Sequence, residues 1–297
     1  TFDRIRGMKT LVIVAIVVIG IVQNHRIKMN QFFQESFVKN INISHNHTKM
    51  KSLVVVILAA GDGTRMNSPL PKVLHSICGR PMIVGIVETA LQLSPKKIVL
   101  VTGKHDQLIR GTVFSHLPES RKIVNVVVQT SPRGTGDAVK QTLPLFWPDD
   151  RVLILNGDMP LITRAILERF LNDSDSAVDN LLVARFQEPS GYGRVILCDD
   201  DGEKIQQIVE EKDCTEEQRA LNLVNTGIYL VSATTLKDRI PKIGSTNAQH
   251  EYYLTDIVQE GGFCAHILDP SESVYVRGVN TRAELEEAIA ILQTFTA

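Results

Sequence analysis

The stretch Leu58-Ala-Ala-Gly-Asp-Gly-Thr-Arg-Met66, with Pro71-Lys72 close behind, follows directly on the apolar run Leu53-Val-Val-Val-Ile57. The run predicts a strand buried in a parallel sheet. A strand that enters a loop containing Gly61 and Gly63 leaves backbone N–H groups free to face an anion. Arg65 and Lys72 add two fixed positive charges. Together these are what a nucleoside triphosphate site requires. Two common glycine loops do not fit. A P-loop ends in Gly-Lys-Ser/Thr, and here Gly63 is followed by Thr64-Arg65. A dinucleotide loop needs a third glycine three residues on, where this chain has Met66.

Working outward, strand and helix patterns alternate, which predicts an α/β fold: a Rossmann-like, mostly parallel mixed sheet flanked by helices. Strands are expected at Lys97–Val101, Ile123–Gln129 and Arg151–Leu155, and helices at Met82–Leu93, Gln107–Leu117, Thr135–Leu145 and Thr163–Leu171. Thr163 is the expected N-cap of the last of these. Beyond it, shorter strands are expected at Leu181–Arg185, Arg194–Cys198 and Ile205–Val209, around turns such as Asp201-Gly202. A strand at Val224–Val231 and a closing helix at Thr281–Leu292 complete the pattern.

The chain has 297 residues and a formal net charge of −1, so nothing implies a nucleic-acid partner. Its four cysteines (Cys78, Cys198, Cys214, Cys264) are far apart, which argues against a zinc site or a disulfide framework and suits a reducing cytoplasm.

Residues 1–49 differ from the rest. Leu11 to Val22 is apolar, but its twelve residues fall short of the roughly twenty that span a bilayer. No A-x-A-like cleavage site follows, and Gln23 to Lys49 reads as a polar, disordered arm. The sequons at Asn42 and Asn46 carry little weight without evidence of secretion. An anchor or export signal, an arm packed on the domain, and upstream sequence outside the working protein are the three readings. The third is preferred, because Met50-Lys51-Ser52 precedes the first strand like a natural start. No firm membrane partner is expected.

In an open α/β sheet, ligands sit at the carboxyl ends of the parallel strands. Three motifs are expected there: the glycine loop, Gln129 with Gly134-Thr-Gly136, and Asn156-Gly-Asp158. Asp158 is the candidate ligand for a Mg²⁺ ion, which neutralises triphosphate charge while holding few protein ligands.

From Met50 to about Leu292 the chain resembles the uridylyltransferase domain of the bacterial N-acetylglucosamine-1-phosphate uridylyltransferases. The resemblance rests on LAAGDGTRMNSPLPKVLH (58–75), QTSPRGTGDA (129–138), NGDMPLI (156–162), GYGR (191–194), IVEEKDCTEEQR (208–219), NTGIY (225–229), NAQHEYYLTD (247–256) and GVN (278–280), in that order. It implies Mg²⁺-dependent uridylyl transfer from UTP to N-acetylglucosamine 1-phosphate. By position it implies that Leu58, Ala59, Ala60 and Gly61 contact the nucleotide through their backbone. Gln129 reads the uracil edge with an amide that both donates and accepts. Gly134 and Thr135 lie by the base and ribose. Gly193, Glu210 and Asn225 bind the sugar, Asp158 and Asn280 hold Mg²⁺, and Arg65 and Lys72 lie against the phosphates. Only the resemblance separates Glu210 from its neighbour Glu211.

The chain also departs from the family pattern. Asn156 stands where an aromatic is common and, lying beside the metal site, is expected to alter affinity; His250 stands where glycine is usual, so crowding or backbone strain is expected at that position. The helix after Thr255-Asp256 is expected to be short. No hexapeptide repeats of the acetyltransferase half occur; residues 50–297 are expected to be a nucleotidyltransferase domain ending at a linker helix, and the expected state is a monomer. A transferase for another sugar 1-phosphate, or a catalytically weak sugar-nucleotide binding module, stay open as alternatives.

Overall fold

Strand β1 (Leu53–Leu58) lies at the centre of the sheet, and its residues alternate between two buried layers. Val54 and Val56 join one hydrophobic layer, and Leu53, Val55 and Ile57 the other. Both faces are covered, which is why the segment is apolar throughout rather than alternating. Fully burying each such side chain stabilises the fold by about 1.5–3 kcal/mol.

The structure, a computed structural model, describes residues 52–175, 177–198 and 202–294. The expectations for residues 1–49 and for Asp201 fall outside them. After β1, a two-residue hairpin of β2 (Ser76–Ile77) and β3 (Arg80–Pro81) leads into α1 (Met82–Gln92). Then come β4 (Lys97–Thr102), α2 (Asp106–His116), β5 (Val124–Val128), α3 (Thr135–Lys140), β6 (Arg151–Asn156) and α4 (Arg164–Asp173). The second part adds β7 (Asp179–Arg185), β8 (Arg194–Leu197), β9 (Ile205–Val209), α5 (Glu216–Arg219), β10 (Leu223–Ser232), α6 (Ala233–Arg239), β11 (Phe263–Ile267) and α7 (Arg282–Thr294).

The main path of the sheet runs β11-β7-β10-β6-β1-β4-β5, with β8 and β9 branching from β10. Along it β6, β1, β4 and β5 are mutually parallel, and β11 is parallel to β7. Only β10 runs against its neighbours β6 and β7. The sheet is therefore mixed and mostly parallel, as expected. Helices α1, α2 and α4 cover one face through Ile83, Val113 and Phe170; α3 and α6 cover the other through Val139 and Leu236.

Thr163 caps α4 as expected, its side chain accepting from Ile166 N at 3.3 Å. The helix expected over Thr135–Leu145 is corrected: it stops at Lys140 and resumes as a 3-10 turn at Leu143–Leu145. Pro144 lacks an N–H and disfavours helical geometry in the residue before it. Thr142 Oγ1 also donates to Val139 O at 2.6 Å, taking up a carbonyl at the helix end. Strand β11 was not anticipated; it starts directly after Gly261-Gly262. After Tyr253 the chain makes only a 3-10 turn, Leu254–Val258, in keeping with the short helix expected there. Among the described residues no helix is long and apolar enough to cross a membrane.

Candidate active site at the carboxyl ends of the strands

The three motifs leave the sheet side by side. Leu58 is in register with Val101 of β4 and Asn156 of β6. Gly157 N donates to Leu58 O at 2.8 Å, and Gln129 N continues the ladder to Thr102 O at 2.7 Å. Because β10 runs antiparallel, its first residues reach the same edge. There Asn225 N donates to Gly193 O at 2.8 Å, which ties the Gly191–Gly193 turn to the site.

A cluster of two cations and two oxygen ligands sits at this edge. Lys72 Nζ pairs with Asp158 Oδ2 and also donates to Asn280 Oδ1 at 2.8 Å. Arg65 Nη2 donates to the same Asn280 oxygen at 3.0 Å. The glycine loop is shaped around this lysine. Gly63 has φ 64°, and a Cβ there would collide with Cβ of Lys72, so both its conformation and its contact exclude a side chain. A Cβ on Gly61 would meet open space instead.

Asn280 is held by a reciprocal cap at the start of α7. Thr281 Oγ1 accepts from Glu284 N at 3.2 Å, while Glu284 Oε2 accepts from Thr281 N at 2.8 Å and Asn280 N at 2.6 Å. Arg282 then donates to Met66 O (3.2 Å) and Asn67 O (3.3 Å), joining this helix to the end of the glycine loop. Val279 N donates to Asp158 O at 2.8 Å. Asp158 and Asn280 thus face one point from segments far apart in sequence.

The pair suits a hard divalent cation. A carboxylate and an amide oxygen are the donors Mg²⁺ takes, and the ammonium of Lys72 already lies between them. Among the described residues no group of three or more His, Cys, Asp or Glu side chains could hold a metal. A cation here would draw its remaining ligands from water and substrate phosphate, the usual habit of Mg²⁺.

Beside the cluster opens a cavity of about 210 Å³, walled by Leu58, Thr135, Asp158, Gly193, Glu210 and Asn225 among others. Arg65 and Asn280 line it as well. Glu210 Oε1 accepts from Thr255 Oγ1 at 3.0 Å. Burial pushes the Glu210 carboxyl above the usual glutamate range; the Thr255 bond opposes this, and the nearby Asp256, Asp213 and Glu251 add to it. Asp256 is raised too, by burial and then by Asp213. Glu211 turns away, to Arg194 at 2.8 Å, so the two neighbouring glutamates have separate environments.

Other expected residues border the site without lining this cavity. Gln129 is 5% exposed, and its Nε2 donates to Asp137 Oδ2 (2.8 Å) and Gly134 O (3.1 Å). Both amide hydrogens are therefore engaged, and a ligand meets only the oxygen. This narrows the donate-and-accept capacity expected of that side chain. Thr135 does line the cavity and its Oγ1 accepts from Leu254 N at 3.0 Å, whereas Ala59, just past the end of β1, is buried. Lys72, Ala60, Gly61 and Gly134 are likewise absent from the cavity wall. His250 is exposed, has φ 55° and lies off the cavity; backbone strain, rather than crowding, is its consequence.

Sequence reasoning missed several residues that hold the site together. Thr255 partners Glu210, Asp137 partners Gln129, and the Tyr192 hydroxyl accepts from Gly278 N at 3.2 Å. Arg194 is buried behind the Gly191–Gly193 turn and donates to Tyr192 O. Tyr192 and Arg194 belong to the GYGR motif, whose glycines signal a turn but not what the side chains beside them hold. The Thr281-x-x-Glu284 cap was readable from spacing alone.

Comparison with known proteins agrees with this fold. A protein of Acanthamoeba polyphaga mimivirus, named a probable UDP-N-acetylglucosamine pyrophosphorylase, is 39% identical over 254 residues, covering 82% of this chain and 96% of its own length. The bifunctional protein GlmU of Marinobacter nauticus is 43% identical over 241 residues, and this chain spans only about half (51%) of its length. A solved UDP-glucose pyrophosphorylase complexed with UDP-glucose shares the fold, with a TM-score of 0.63 at 17% identity, covering 82% of this chain and 99% of the other. With a domain match over residues 55–227, more than half of its length, the chain belongs to the MobA-like NTP transferase domain family.

Proposed function

We propose that this protein transfers a uridylyl group from UTP to N-acetylglucosamine 1-phosphate, forming UDP-N-acetylglucosamine and pyrophosphate. The observation that carries the reading is the convergence of Lys72 and Arg65 on Asp158 and Asn280, at the mouth of a cavity bordered by Glu210 and Asn225. The mimivirus relative, matched over nearly its whole length, supports the choice of substrates.

The sugar phosphate is the nucleophile. One of its phosphate oxygens forms a bond to the α-phosphorus of UTP, and the bond from that phosphorus to the β-phosphate bridging oxygen breaks. The nucleophile is an anion at neutral pH, so no general base is required. The protein's work is positioning and charge neutralisation. Leu58, Ala59, Ala60 and Gly61 present backbone groups to the nucleotide, with Gly134 and Thr135 by its base and ribose. Gln129 Oε1 accepts from the N3–H of uracil. Gly193, Glu210 and Asn225 hold the sugar, and Arg65 and Lys72 face the phosphates. Asp158 and Asn280 would hold Mg²⁺, which supplies further neutralisation of the triphosphate. The proposal places the enzyme in the cytoplasm, where UTP is made, and acting as a monomer.

Pyrophosphate release, measured with and without Mg²⁺ across UTP, dTTP and CTP and several sugar 1-phosphates, tests the reading. Release should be fastest with UTP and N-acetylglucosamine 1-phosphate and should require the metal. A preference for another pair would overturn the substrate assignment, and no release with any pair would overturn the enzymatic one.

A further inference from the structure

Asp137 has no role in the chemistry above, yet it is a carboxylate only 3% exposed and aimed at the residue proposed to read the base. Its Oδ2 accepts from Gln129 Nε2 at 2.8 Å. Its Oδ1 accepts from Arg133 Nη2 at 3.2 Å and, at the limit of bonding distance, from Gln141 Nε2 at 3.5 Å. The second hydrogen of the Gln129 amide goes to Gly134 O at 3.1 Å. An ionised carboxylate and a backbone carbonyl are acceptors only. A flip of the Gln129 amide would place its oxygen against both of them. One orientation is therefore enforced, with Nε2 inward and Oε1 left as the acceptor a ligand can meet.

We infer that Asp137 is a specificity-determining positioning residue: it locks the Gln129 amide so that the site offers a pyrimidine ring an acceptor and never a donor. Uracil and thymine carry a donor at N3, whereas the N3 of cytosine is an acceptor. A locked Oε1 is complementary to the first and repels the second. An amide free to flip would serve both. The inference rests on the reading that Gln129 contacts the base. The GTGDA segment supplies the lock from within a single turn of chain, because α3 carries Asp137 to the inside of the sheet edge where β5 ends.

The test is the ratio of kcat/KM for UTP to that for CTP, with N-acetylglucosamine 1-phosphate as co-substrate. Asp137→Asn is nearly isosteric but can present its own N–H₂ to a flipped Gln129 oxygen, which leaves Gly134 O as the weaker, single acceptor opposing the flip. The ratio should fall about tenfold or more, the scale of one mispaired buried hydrogen bond. Asp137→Ser, whose hydroxyl can donate or accept, should narrow the ratio similarly and gives a second reading if the Asn variant folds poorly. A merely structural aspartate would slow both nucleotides alike and leave the ratio unmoved. Gln129→Ala separates the two levels of the argument. If Gln129→Ala loses the discrimination while both Asp137 variants keep it within twofold, the positioning role is overturned and the base contact stands. If Gln129→Ala keeps the discrimination, the base contact itself fails, and the role of Asp137 with it.

Discussion

Replacing Arg194 by Met should both destabilise the protein and weaken sugar binding. Arg194 is 1% exposed, and all three of its guanidinium nitrogens are engaged: Nε donates to Leu221 O at 3.0 Å, Nη2 to Arg219 O at 3.3 Å, and Nη1 to Tyr192 O while pairing with Glu211 at 2.8 Å. Methionine fills much of the volume but leaves three carbonyls and a carboxylate without this partner. Removing one member of a buried ion pair costs about 3–5 kcal/mol. Glu211 keeps Gly191 N (3.1 Å) and is partly solvated, which lowers its share. The unpaired carbonyls, at about 1–3 kcal/mol each and not additive, raise the total again. A loss of about 3–5 kcal/mol is therefore expected. For a domain of this size that lowers Tm by about 6–20 °C, at about 2–4 °C per kcal/mol. Far-UV circular dichroism melts read it directly. The functional effect should be selective, because freeing Tyr192 O loosens the turn that carries Gly193 while the glycine loop is untouched. KM for the sugar phosphate should rise more than KM for UTP. Arg194→Lys keeps the charge without the planar fork and should fall between. A melt within about 2 °C of the parent, or equal changes in the two KM values, would mean that Arg194 does not hold this turn.

Three further perturbations follow from the same geometry. Lys72→Met removes a phosphate-facing cation and should lower kcat by about 10²–10³. It also removes the internal cation that shares Asp158 and Asn280, so Mn²⁺ binding to the nucleotide-free protein, read by calorimetry, should tighten; unchanged turnover, or weaker metal binding, would contradict this. The Glu210 carboxyl binds its proton more tightly folded than unfolded, so above the ordinary glutamate range its ionisation destabilises the native state, and below about pH 4 it does not. Glu210→Gln should therefore raise Tm at pH 8, with the gain shrinking as pH falls towards 4; a gain independent of pH would exclude the linkage. His250→Gly should stabilise the protein by about 1 kcal/mol by relieving a left-handed conformation at φ 55°, and an unchanged or lower Tm would argue against strain there.

What could be read from sequence was what local physics decides. The runs of β1, β4 and β6 are apolar on both faces because helices cover both, so a single stretch of chain carries the signal. Thr163 is a cap whatever the rest of the fold does. The glycine loop was legible because it is local too: Gly63 must adopt φ 64° to pack on Lys72 only nine residues later. Features set by distant partners were not. β11 pairs with β7 alone on the main path, and its short Cys-Ala-His interior, preceded by two glycines, carries too weak an apolar pattern to read. The helix at Thr135 looked longer than it is because its apolar spacing continues through Leu143 and Leu145, while Pro144 ends it sterically.

The site divides in the same way. Lys72 meets Asp158 across 86 residues and Asn280 across 208. No spacing rule connects these positions: the strand-end rule brought Asp158 to the glycine loop, and only the family resemblance added Asn280. That resemblance selected residues expected to touch ligand and passed over those that aim them. Thr255, Arg194 and Asp137 are nine-tenths or more buried and spend their polar atoms on other side chains or backbone, although Thr255 also lines the cavity. Their contribution lies in restricting choices: which way the Gln129 amide faces, how the Gly193 turn sits, and how far the charge on Glu210 is tolerated. A contact residue is constrained by the chemistry of its ligand, which a motif can record. A positioning residue is constrained only by the particular neighbour it must hold, and several side chains can do that. The structure is needed to find the second kind, and it is at those positions that a member of this family could change its nucleotide preference while its motif stayed intact.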